Sequence, residues 1–221
     1  MTPPPLLGAF SLERELGQGG MGSVWLARHR ENQGLYALKL IPVTSDPEAV
    51  ERFRIEGEAM GRVQAHPNLT RVHALLEAEG WLGLVLEYCP RGDLESRLRR
   101  GPLEPEVARA LAIGLASGLE AAHASGVLHR DLKPANVVFD DSDRPKLTDF
   151  GLAKLHDRQS LTQSGALLGT PAYMAPEQAT TGTCDARTDV YGLGGVLYHC
   201  LSGRPPFSGT SVLGVLDQVM N

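Results

Sequence analysis

The hydrophobic period changes once along the chain, near Tyr88-Cys-Pro-Arg-Gly92, and that change limits the fold more than any other feature. Upstream, apolar residues fall in short stretches rich in Val, Leu and aromatics, among them Ser23-Val-Trp-Leu-Ala27 and Leu35-Tyr-Ala-Leu-Lys-Leu-Ile41, punctuated by Gly and Asn. Stretches of this kind predict strands. One upstream segment differs: Asp46-Pro-Glu opens a run in which Val50, Phe53, Ile55, Met60 and Val63 follow a roughly helical period. From Pro105 onward the spacing becomes helical, with Val107, Leu111, Ile113, Leu115 and Leu119 in one segment and Val190, Leu193, Val196, Leu197 and Leu201 in another. The Pro and Gly of 88–92 suit a connector between the two halves. The pattern therefore predicts an α+β architecture: a tail over 1–9, a small β lobe with one helix over 10–87, a hinge over 88–92 and a mainly helical lobe over 93–221.

Composition excludes several classes. At 221 residues and 42% hydrophobic content the chain can bury a real core without staples. A formal net charge of −5 gives no general attraction for nucleic acid or an anionic membrane, so phosphate chemistry must depend on locally placed cations. Cys89, Cys184 and Cys200 form no C-x-x-C pair, which argues against a disulfide framework or a zinc site and for a reducing compartment. The Pro-rich start Met1–Leu7 does not read as a secretory signal, and no apolar run spans a bilayer. The sequence as given is expected to be cytoplasmic, without membrane contact of its own. Asp140-Asp-Ser-Asp-Arg-Pro145 lacks the Gly and distal Glu of a calcium loop and reads as a solvated turn between two short strands.

Leu16-Gly-Gln-Gly-Gly-Met-Gly-Ser-Val24 carries glycines at 17, 19 and 22, a backbone able to close over phosphates. A dinucleotide fold would place a helix directly after them, whereas a strand-like run follows, and the G-x-x-x-x-G-K-[ST] pattern is missing. A strand-turn-strand flap remains. In Tyr36-Ala-Leu-Lys39, alternation puts Ala37 and Lys39 on one face and Leu38 and Leu40 on the other. Glu56, on the helical segment, is the candidate partner of Lys39, with Glu58 as its rival.

The most specific segment is His129-Arg-Asp-Leu-Lys-Pro-Ala-Asn136, followed after the turn by Thr148-Asp-Phe-Gly151. With the glycine flap, the strand lysine and Ala175-Pro-Glu177 in the same order, these motifs resemble the eukaryotic-type protein kinases over nearly the whole chain, from about Phe10 to Phe207. Phosphoryl transfer needs cations on the phosphate oxygens, an acceptor for the hydroxyl proton and in-line positioning. A carboxylate, a cation and an amide on one loop can supply these.

The resemblance implies a two-lobed kinase fold with ATP in the cleft, magnesium with manganese as the alternative ion, and proteins with Ser or Thr hydroxyls as substrates. It assigns Asp131 as acceptor of the hydroxyl proton, Lys133 to the γ-phosphate, Asn136 and Asp149 to the metal ions, and Lys39, held by Glu56, to the α- and β-phosphates. The ATP-binding set it implies is Leu16, Gly17, Gln18, Gly19, Gly20, Met21, Gly22, Ser23, Val24, Ala37, Lys39, Leu86, Glu87, Cys89, Asp93 and Val138. Within that set Leu86 gates the back of the adenine pocket, Glu87 and Cys89 give hinge backbone bonds, Asp93 lies near the ribose, and Val24, Ala37 and Val138 sandwich the ring. Met60, Val72, Phe150 and His129 match a stack that the family assembles when active.

Lys133 and Gly169-Thr-Pro-Ala-Tyr173 resemble the serine/threonine branch, with Thr170 positioning substrate. Thr162 and Ser164 are the implied autophosphorylation sites, ahead of Ser160, and Arg130 with Lys154 would receive the phosphate. A homodimer would serve autophosphorylation in trans. Similarity is closest to bacterial members, through Phe53-Arg-Ile-Glu56, Pro176-Glu-Gln and Gly203-Arg-Pro-Pro-Phe207. The rival readings are a pseudokinase scaffold that binds ATP or partners without transfer, and a small-molecule phosphotransferase of related fold. Two departures stand out. The helical lobe normally continues past this chain, and the Arg that normally pairs with Glu177 has no match, since only Arg187 and Arg204 follow. A fragment with sensor or membrane-spanning parts downstream is therefore expected. Gly57 and Gly61 also weaken their helix by ~1 kcal/mol each, which suggests an element able to swing.

Overall fold

Six strands form one antiparallel sheet in the order β1-β2-β3-β4-β6-β5, with β1 at Leu6–Leu7, β2 at Phe10–Gly19, β3 at Gly22–His29, β4 at Leu35–Pro42, β5 at Val72–Ala78 and β6 at Trp81–Glu87. The computed structural model describes residues 2–19, 22–150 and 171–221, the side chain of Glu56 excepted. β1 falls inside the stretch expected as a tail, which corrects that boundary: Leu7 is fully buried against Phe10, Ala27, Leu38 and Trp81, because an apolar pair beside a free sheet edge gains by pairing.

The alternation read in β4 is obeyed. Leu38 and Leu40 join the cluster with Leu7, Phe10 and Trp81, whereas Ala37 and Ile41 join Phe53, Leu82, Leu84 and Leu86. The second face is covered by helix α1, Pro47–Arg62, which starts with Pro in its first turn and buries Phe53. Gly57 has a packing reason. A Cβ there would stand 2.3 Å from Leu84 Cδ2, so its absence lets the helix lie close on the sheet.

The second half holds helices α2 (Leu94–Leu98), α3 (Pro105–Ala124), α4 (Pro176–Thr180), α5 (Ala186–Ser202) and α6 (Val212–Met220), with a hairpin of β7 (Val137–Phe139) and β8 (Pro145–Leu147). α3 packs against α5, and α6 covers α4 and the 3-10 turn Pro171–Tyr173. Leu111, Leu115 and Leu119 enter the core with Val196 and Cys200, while Val107 and Ile113 face water, as do Val190 and Leu201. Ile113 lies two residues from both Leu111 and Leu115, hence about 200° around the helix from each. The hairpin turn is closed by Asp140 Oδ1, which accepts the N–H groups of Ser142 and Arg144 at 2.9 Å each.

The loop between α1 and β5 laces the two halves together. Leu147 N–H donates to the Asn68 carbonyl at 2.9 Å, Thr70 N–H donates to the Leu147 carbonyl at 2.9 Å, and Asn68 Nδ2 donates to the Pro145 carbonyl at 2.8 Å. Beside them the buried Lys146 ammonium meets both carboxylate oxygens of Glu87, at 3.0 and 3.1 Å.

Candidate active site

The glycine-rich segment forms a strand-turn-strand flap and is followed by a strand, as the spacing predicts. Gly17 pairs with Val24, Gln18 with Ser23 and Gly19 with Gly22 across β2 and β3, with Leu16 exposed on β2. Gly20 and Met21 lie outside the described residues. Gly22 has φ 130°, and a Cβ there would come within 2.1 Å of the Leu40 carbonyl oxygen, so this corner admits only glycine.

Lys39 sits in the middle of β4, opposite Val24 on β3 and Leu84 on β6. Its ammonium reaches Asp149 Oδ1 at 2.9 Å. Burial pushes the Asp149 carboxyl up, but the charge and hydrogen bond of Lys39 outweigh it and hold the group below the ordinary carboxylate value. Asp149 also stands in the left-handed backbone region, at φ 55°. Glu56 is placed on α1 by its backbone, but the expected Lys39–Glu56 pair lies outside the described side chains. The rival, Glu58, pairs with Arg62 at 3.7 Å on the exposed helix surface.

The loop after α3 is knit by its own polar groups. Asp131 Oδ2 accepts from Lys133 Nζ at 3.0 Å and from Asn136 Nδ2 at 3.1 Å, and Asn136 Nδ2 also donates to the Asp131 carbonyl at 2.8 Å. With its nitrogen so committed, Asn136 has its Oδ1 left for a cation. Thr148 N–H donates to the Asn136 carbonyl at 3.0 Å, which fixes this loop beside Asp149. An amide oxygen and a neighbouring anionic carboxylate are hard donors of the kind that magnesium takes, so the residues present fit a divalent ion.

His129 is fully buried and structural. Its Nε2–H donates to the Thr148 carbonyl at 3.0 Å, its Nδ1 accepts the Asp131 N–H at 3.3 Å, and burial pushes the ring's pKa down, so it stays neutral. Its centroid is 4.4 Å from that of Phe150, and Met60, Val72 and Phe150 share one core, so the four residues of the implied stack meet.

The residues implied for the adenine pocket lie on β3, β4, β6 and β7 and in the connector after β6. Val24, Ala37 and Leu86 share one apolar cluster, and Val138 on β7 bridges to Asp93. Glu87 N–H is occupied by the Arg71 carbonyl at 2.9 Å, so only its carbonyl is left to act as a hinge acceptor. Asp93 caps α2, accepting the Ser96 N–H at 2.6 Å. The Cys89 thiol is half-buried, and burial followed by Glu87 pushes it up to about 12, which leaves it protonated and inert at neutral pH.

Ala175-Pro-Glu177 opens α4, and Glu177 Oε1 accepts from Thr188 Oγ1 at 2.7 Å. A hydroxyl therefore holds the Glu177 carboxylate, whose usual arginine partner has no match in this sequence, while Arg187 turns to Asp185 at 2.6 Å in solvent. Thr162, Ser164 and Thr170, like Ser160 and Lys154, lie outside the described residues.

Three contributors have no site role that the sequence pattern assigns. Asp189, buried in the first turn of α5, accepts from His129 N–H at 2.8 Å, Arg130 N–H at 2.7 Å and His123 Nε2 at 2.7 Å. Gln178 Nε2 donates to the Arg130 carbonyl at 2.9 Å, and Lys146 pairs with Glu87. The capping box Asp185-x-x-Thr188 marks where α5 starts, but nothing local says that Asp189 faces inward.

The family model for the protein kinase domain matches residues 10–221. Among characterised proteins, the chain is 42% identical over 231 residues to serine/threonine-protein kinase PkaA of Streptomyces coelicolor, covering 97% of this chain and 42% of the relative. It is 40% identical to PknH of Mycobacterium tuberculosis, over 93% of this chain and 33% of the relative. PknE of the same organism is likewise 40% identical, over 94% of this chain and 37% of the relative. The chain thus spans less than half the length of these relatives.

Proposed function

Because the chain belongs to the protein kinase domain family, we propose that it is an ATP-dependent protein serine/threonine kinase of the bacterial branch, acting on Ser and Thr hydroxyls of proteins. The observation that carries the reading is that one hydrogen-bonded unit joins the Lys39–Asp149 pair, at 2.9 Å, to the Asp131–Lys133–Asn136 cluster through Asn136 and Thr148.

The chemistry follows from which atoms are committed. Lys39 presents a fixed positive charge where the α- and β-phosphates would lie beneath the flap, and its pairing with Asp149 keeps that carboxylate ionised. Asn136 Oδ1 and the Asp149 carboxylate would hold magnesium, or manganese in its place. A divalent ion held there would neutralise charge on the β- and γ-phosphate oxygens. Asp131, an acceptor held by two donors, orients the substrate hydroxyl and takes its proton, while Lys133 at 3.0 Å offers a cation to the transferring group. The hinge carbonyl of Glu87 and the backbone of Cys89 position the adenine, Asp93 lies near the ribose, and Val24, Ala37 and Val138 sandwich the ring. Arg130 supports regulation by phosphorylation at Thr162 or Ser164: its Nε and Nη1 are buried with no hydrogen-bond partner among the described residues, a cation poised for an anion.

The test is phosphotransfer from labelled ATP by the chain and by Asp131→Asn, with magnesium or manganese, followed by mass mapping. Transfer by the parent, a loss of about 10²–10⁴-fold in the variant, and phosphate on Thr162 or Ser164 are expected. ATP binding without transfer would favour a scaffold, and failure to bind ATP would overturn the nucleotide reading.

A further inference from the structure

A second cleft, of about 620 Å³, lies between the end of α1, the 63–71 loop, the start of β5 and Lys146 on β8. Its lining is mixed: Met60, Val63 and Val72 form an apolar part, and polar side chains such as Gln64 and Thr70 make up the rest. Of its charged groups, Lys146 and Glu87 neutralise each other at 3.0 Å. Arg71 is different. Its backbone is held by Glu87 on both sides, N–H to Oε2 at 3.2 Å and carbonyl from N–H at 2.9 Å, yet its exposed guanidinium has no hydrogen-bond or ion-pair partner among the described residues. His73 adds no charge, since burial and then Arg71 push its pKa down. Among its described residues the cleft therefore carries one uncompensated cation beside the apolar part formed by Met60, Val63 and Val72.

The inner wall is thin. Met60, Thr70 and Val72 also line a small void bounded on its other side by Lys39, Asp149 and Phe150. Thr70 Oγ1, buried in that wall, has no hydrogen-bond partner among the described residues, so none of their polar groups fixes its rotamer, and the neighbouring Met60 side chain is unbranched and adaptable. Filling the outer cleft must press on a partition whose far surface backs the nucleotide site.

We propose that this cleft is a ligand site for a small carboxylate with an apolar body, the carboxylate on Arg71 and the body against Met60, Val63 and Val72, and that its occupancy is coupled to nucleotide binding through the Met60–Thr70–Val72 wall. A carboxylate suits the fork of an unpaired guanidinium, and a single negative charge balances the single excess positive one. An apolar body suits the part of the lining made by Met60, Val63 and Val72.

The experiment uses the whole chain with methyl-labelled Met and Val, titrated with benzoate and with its neutral isostere benzamide. Benzoate is expected to shift the Met60, Val63 and Val72 methyl signals saturably, with and without saturating ADP and magnesium, and to bind about tenfold tighter than benzamide. Arg71→Ala, an exposed change, should abolish that preference while the spectrum stays folded. Absence of saturable shifts up to about 10 mM benzoate, equal binding by Arg71→Ala, or complete displacement by ADP would overturn the site. Benzoate binding is read directly and holds whether or not the chain transfers phosphate. The coupling rests on the nucleotide reading above: ATP affinity, measured first without benzoate, should change at least about twofold at saturation, and an unchanged value would overturn the coupling.

Discussion

Asp189 holds Arg130 in a left-handed backbone conformation. Its Oδ1 accepts the Arg130 N–H at 2.7 Å while Arg130 stands at φ 62°, a region that a non-glycine residue enters only when its surroundings require it. The second oxygen takes the His129 N–H and His123 Nε2, so one buried carboxylate orients the two residues that precede Asp131. Asp189→Asn must set an NH2 group against one of these donors. It should destabilise the chain by about 1–3 kcal/mol and lower kcat more than it raises the KM for ATP. Denaturant titration and steady-state kinetics check both, and an Asn variant that kept wild-type stability and turnover would show that the carboxylate does not govern the loop.

Gly57 and Gly61 separate packing from propensity. Gly57→Ala collides with Leu84 at 2.3 Å, and the resulting overpacking should cost about 1–3 kcal/mol, more than the helix gains. Gly61→Ala meets nothing within 4 Å and should stabilise by up to about 1 kcal/mol. Opposite signs in thermal unfolding are expected, and equal signs would mean that α1 does not sit on the sheet as described.

Acid should weaken the fold in two stages. The pKa values of His129, His73 and His199 are all pushed down, by burial first in each case. The unfolded chain then binds more protons than the native one as pH falls from about 6.5 toward the lower folded values, and stability declines over that window. Asp149 acts later: its contribution is complete above about 3.9 and is lost as pH falls through its lower folded value. Urea midpoints measured at about pH 7.5 and 5.5 should differ in that direction, and a flat profile would contradict the neutral burial of His129.

Thr188 offers a test of the unusual carboxylate clasp. Its hydroxyl donates to Glu177 at 2.7 Å and accepts the Asp185 N–H at 3.3 Å, joining the start of α4 to the cap of α5. Thr188→Val keeps the shape and removes both bonds, so a loss of about 2 kcal/mol is expected, while Thr188→Ser should restore most of it. Equal stability of Val and Ser variants would show that Glu177 needs no partner there.

Local signals carried much of this protein. The change of period at 88–92, the alternation of Ala37 and Lys39 against Leu38 and Leu40, and the motifs around Asp131 and Asp149 are properties of neighbouring residues. Residues two apart in a strand, or a few apart in one loop, are related by backbone geometry before any tertiary contact forms. The short turn at Asp140 was legible for the same reason, since an Asx side chain closes onto its own backbone.

Only the tertiary structure decided which of two chemically equal residues would be used. Val107 and Ile113 carry the same apolar signal as Leu111 and Leu115 but point away from α5, and Leu7, in a stretch expected as a tail, is drawn in by the sheet edge. Asp189 and Lys146 look like surface charges in the sequence. They are buried because partners 59 residues away in each case, Arg130 and Glu87, supply the hydrogen bonds that make burial affordable. Long-range compensation of this kind has no period and no spacing, so folding alone brings the pairs together.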